Sequence, residues 1–269
     1  MESSRIDESE LPFLAPCREL EPLAALRWLR LGLQDFRKAC PQSLFYGVLM
    51  AAVMALVCWL AWRYGSWWFM LAMLGGFVFL APLSCIGLYA ISAQLERGYP
   101  PSLKRALRAG LKRHFGNEMI FALVLLVVFM VWARAGAMVG VFFPMRGHPT
   151  LSDMAVYLSV GSAVGAVFAT LTFTVSAFSL PMIMHRRVDA ITAVVTSINA
   201  VLRNKLAMFV WLTLIVFGIA LGVATAFVGL VVILPTIGYA VWHGYLDTID
   251  ASGFPRHTEG ITSVPRGRH

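Results

Sequence analysis

Charge is scarce in this chain. Only 13% of its 269 residues are Asp, Glu, Lys or Arg, and 59% are hydrophobic. A soluble domain has about twice that share of charge, so much of this surface must have lipid as its solvent. Cysteine is also sparse. Cys17, Cys40, Cys58 and Cys85 form no CxxC pair, which argues against a zinc site or a redox dithiol and leaves them as small buried hydrophobes. No GxxxxGK[ST] phosphate loop, HExxH pair or GxSxG elbow occurs. The common ATPase, zinc-protease and serine-hydrolase chemistries therefore have no foothold.

Six long apolar runs fill the remainder, near 43–62, 67–93, 118–139, 154–184, 205–226 and 228–247. Each is about long enough to cross 30 Å of hydrocarbon as a helix. Only helices and closed barrels satisfy every backbone polar group in lipid. These runs are continuous rather than alternating, so the expected fold is all-α and polytopic. The first run follows a mixed, charged stretch, which does not suit a cleavable signal peptide. The expected organisation is a mobile tail over 1–20, one six-span membrane domain over 21–249 and a mobile tail over 250–269.

Positive charge lies on one side of these runs. Six Lys and Arg precede the first run, six follow the second, four follow the fourth and three close the chain. That accounts for 19 of 22, leaving Arg63, Arg134 and Arg146. The positive-inside rule then places both termini in the cytoplasm.

The chain also reads as three related units, each a cytoplasmic amphipathic helix followed by a hairpin. The first such helix spans about Pro22 to Lys38, with Leu23, Leu26, Leu29, Leu33 and Phe36 as its apolar stripe. The second spans Pro101 to Phe115, where Lys104, Arg105, Arg108, Lys112 and Arg113 flank Leu103, Leu107, Leu111 and Phe115. The third runs from Asp189 to Asn204, with Ile191, Val194, Val195, Ile198 and Val201 apolar. Pro82, Pro181 and Pro235 stand towards the cytoplasmic ends of the second, fourth and sixth spans. A proline there kinks its helix and frees a carbonyl. Such carbonyls offer one place where a cation or small solute could bind.

Several segments carry a family resemblance: Arg27-Trp28-Leu29-Arg30-Leu31-Gly32 with Asp35, and Ser43-Leu44-Phe45-Tyr46-Gly47. The Pro82 segment, Leu95-Glu96-Arg97-Gly98, Asp189-Ala190-Ile191 and Ser197 add to it. Together, over about 25–250, they resemble a bacterial integral membrane family catalogued as domain of unknown function 2189. The resemblance implies a six-span inner-membrane protein. It carries over no catalytic or binding residues.

Candidate chemistry is thin. Of six histidines, only His185 and His243 lie near helix ends on one side. They read as interfacial residues rather than haem ligands, so no metal or cofactor is expected. The bilayer centre holds no ionisable group, which argues against a carrier built on a buried carboxylate. In the fourth span, Ser162, Thr170, Thr172, Thr174, Ser176 and Ser179 suit bonds between helices or back to the preceding turn. The pairs Gly136/Gly140, Gly161/Gly165 and Gly218/Gly222 suit close packing within the molecule.

The expected protein is therefore no enzyme and has no affinity for nucleic acid. It is an accessory, assembly or lipid-interacting membrane protein. Lys104, Arg105, Arg108, Lys112 and Arg113 would meet anionic lipids or a membrane partner. The alternative is a small-solute transporter or channel with its site between the proline-kinked helices.

Overall fold

The computed structural model describes residues 12–64, 83–105, 116–142 and 150–256. These are helical with no strand, and two isolated antiparallel bridges join Cys17 to Ile249 and Arg186 to Arg256. The helices are α1 (Ala24–Lys38), α2 (Cys40–Tyr64), α3 (Ile86–Glu96), α4 (Gly116–Phe142) and α5 (Leu151–Ser176). They continue as α6 (Ser179–His185), α7 (Ala190–Arg203), α8 (Lys205–Ala224) and α9 (Leu230–Thr248). Among the described residues, four stretches are long and apolar enough to cross a membrane: Cys40–Leu60, Gly116–Phe142, Leu151–His185 and Lys205–Ala224. Most of the second expected span lies outside the described residues. The sixth expected run forms a helix, α9, which carries Thr236, Tyr239, His243, Tyr245 and Asp247 and is not among these four.

α9 is the hub, packed against α1, α2, α3, α6 and α8. α8 and α9 form a tight hairpin in which Ala226 and Phe227 adopt positive φ of 51° and 69°. Thr225 Oγ1 accepts from the amide of Gly229 at 2.9 Å and closes the turn. The side chain of Leu230 fills the space above Gly222, so this GxxxG pair is used within the molecule.

α1 and α7 are helices where amphipathic helices are expected, and their apolar stripes are only partly buried. α1 buries Ala24, Ala25, Trp28, Gly32, Asp35 and Phe36, while Leu23 and Leu26 are 61% and 47% exposed. Of the expected stripe, only Phe36 is buried. α7 starts on Asp189, whose side chain accepts from the Thr192 amide at 2.8 Å. It buries Thr192, Ala193, Thr196, Ser197, Ala200 and Val201 and leaves Ile191 64% exposed. Lipid removes the reason for leucine and isoleucine to turn inward, so small and hydroxyl side chains that allow close approach take the packed face.

The fourth expected span is not one continuous helix. Its hydrogen-bond ladder breaks between α5 and α6, at Phe178 (φ −131°, ψ −4°). The Ser197 hydroxyl of α7 enters the gap. It donates to Thr174 O at 2.9 Å and accepts from the Phe178 amide at 3.2 Å, replacing the bond those two groups would share. An inserted side chain is a recognised cause of a helix break.

Parts of both expected mobile tails are packed. The amide of Arg18 bonds Thr248 O at 2.8 Å, and the amide of Asp250 bonds Pro16 O at 2.9 Å. Asn204 grips this strap from α7, accepting from the Leu20 amide and donating to Arg18 O. Residues 12–20 and 250–256 thus form a cap over α7 and the end of α9. Cys17 is buried there, and burial pushes its thiol above the ordinary value. Hydrogen bonds from Ser252, with Arg18 adding a smaller pull, hold the Asp250 carboxyl below its ordinary value.

Candidate functional site

The polar groups of the structure gather at the end where α1, α7, the cap and the C-terminal half of α9 meet. Trp28 anchors this region. It is fully buried, meets Trp211 edge-on at 5.8 Å and Phe178 edge-on at 6.2 Å, and covers Gly244 of α9. Its indole N–H donates to Asp247 Oδ2 at 2.8 Å, and Arg27 pairs with the same oxygen.

Polar contacts along α9 follow a helical step. Tyr239, His243 and Asp247 are spaced four apart, so they line one face. The Tyr239 hydroxyl meets Ser43 Oγ at 2.8 Å. His243 Nε2 donates to Asp35 Oδ2 at 2.8 Å, and Ser92 Oγ of α3 donates to that oxygen too. Asp35 is 5% exposed, and these two contacts are hydrogen-bond partners for its buried oxygen. The contact order is serine–carboxylate–histidine. The carboxylate sits in the middle, so the imidazole is not placed to take the serine proton, as a nucleophile–base pair requires.

Neighbouring contacts extend the network. Trp242 donates to Glu96 Oε2 at 3.1 Å, tying α9 to the end of α3. His185 Nδ1 meets the Tyr245 hydroxyl at 3.0 Å. Arg186 donates to Phe254 O at 2.8 Å, and desolvation lowers its guanidinium below the ordinary value. His185 and His243 therefore have separate partners and are not a facing pair. Among the described residues no cluster of three or more His, Cys, Asp or Glu could hold a metal ion.

The carbonyl freed at Pro235 is closed. Pro235 lies inside α9 and leaves Val231 O without its usual amide partner. Gly47 of α2 packs directly on that oxygen, with no room even for a methyl group. Pro181 stands in the first turn of α6, where its missing N–H costs little, and so does not kink a continuous helix. Pro82 lies outside the described residues.

Residues 69–185 match the family model described as predicted integral membrane protein (DUF2189). The DUF2189 match is narrower than the likeness over 25–250, covering less than half of the chain. It takes in Ser92, Glu96 and the α5–α6 break, while Trp28, Asp35, His243 and Asp247 lie outside it. No curated protein and no solved structure matches the chain. The chain is an integral membrane protein with several apolar helices.

The basic residues expected to bind are only partly within view. Lys104 is exposed and Arg105 half-buried, and the Arg105 amide bonds Ser102 Oγ at 3.3 Å. Arg108, Lys112 and Arg113 lie outside the described residues. Sequence reasoning missed Asp35 and Ser92 as partners. A usable signal was present: an acidic residue on the flank of an amphipathic helix that also carries Trp28 and Gly32. The open positions are informative as well. A side chain at Gly136, Gly161 or Gly165 would meet nothing within 4 Å, so these glycines do not serve packing within the described residues.

Proposed function

We propose that this is a non-catalytic integral membrane protein of accessory, assembly or lipid-interacting type, whose interfacial helices present an apolar and basic face to the bilayer. It spans the inner membrane of a bacterium six times as three hairpins, with both termini and α1 on the cytoplasmic side. One observation carries the reading. α1 is locked to the bundle through Trp28, Gly32 and Asp35, and so leaves Leu23 and Leu26 facing out beside the exposed Arg30, Arg37 and Lys38. That is the composition of a helix lying in a headgroup layer. Near an anionic leaflet each such cation contributes about 1 kcal/mol. The closure of Val231 O by Gly47 supports this reading over a solute path lined by proline-freed carbonyls.

Native mass spectrometry of protein released gently from its own membrane tests the proposal. Wild type should carry tightly held anionic lipid or a stoichiometric membrane partner. The Arg30→Glu/Arg108→Glu variant should lose most of it while keeping its thermal midpoint. Bare wild-type protein, or retention unchanged in the variant, overturns the reading.

A further inference from the structure

We draw no further inference here: the strongest candidate, the exposed stripe of small side chains that Ala155, Ser159, Ser162, Ala166 and Ala169 form along α5, is a helix face for which nothing in the structure shows what covers it.

Discussion

Gly47 and Gly32 are the residue-level constraints that set α9 backbone directly against its neighbours. Gly47 lies on Val231 O, and a methyl group on Gly32 would stand 2.5 Å from Thr236 O and 2.8 Å from the Ala240 amide. Both oxygens belong to helix backbone, which cannot give way as a flexible side chain would. Gly47→Ala should therefore lower stability by about 1–3 kcal/mol through overpacking. Gly161→Ala, with open space around it, should leave stability level or raise it, since alanine favours a helix over glycine. Thermal unfolding in detergent separates the two, and equal losses would remove the packing argument. Among the described residues, the glycines that spacing picks at 136 and 161 meet nothing within 4 Å. A GxxxG pair reports small residues on one helix, whereas the contact at Gly47 depends on a carbonyl released by Pro235 on another.

At the scale of elements, the break between α5 and α6 is held by α7. Ser197→Ala removes the hydroxyl that serves both Thr174 O and the Phe178 amide, leaving two polar groups without that partner. Each buried orphan costs about 1–3 kcal/mol, so the variant should lose about 2 kcal/mol or more of stability. Pro181→Ala should change stability by less than about 1 kcal/mol, because the first turn of α6 does not need that amide. Hydrogen exchange at Phe178 and Met182 provides the check: faster exchange in Ser197→Ala and near-native exchange in Pro181→Ala. The reverse order would restore the proline as the cause. The helices themselves were legible, as Asp189 at the start of α7 and the apolar run of α8 illustrate. Their packed faces were not, because leucines that would mark the core of a soluble protein, Leu23 and Leu26, are exposed here.

For the whole molecule, the cap joins the two ends of the described chain: Cys17 pairs with Ile249, and Pro12 touches Gly253. The α8–α9 turn lies at the far end of α9 from this cap. In sealed vesicles of one orientation, an impermeant maleimide should label Ser252→Cys and Val228→Cys from opposite sides, against a background in which native cysteines are replaced. Labelling from one side would break the proposed topology. The charge bias that leads to this expectation was open to sequence reading because it depends only on which segments carry Lys and Arg.

Composition and periodicity by themselves determined that this is a helical membrane protein, because long runs without charge need lipid and lipid demands internally satisfied backbone. Only the tertiary structure decided which faces meet. Asp35 enters the sequence reading only as one residue of a family resemblance, and His243 as an interfacial histidine. Folding places α3 and α9 against α1, so that Ser92 and His243 converge on one carboxylate oxygen. The partners lie 57 and 208 residues away along the chain, and no local pattern encodes contacts at that separation.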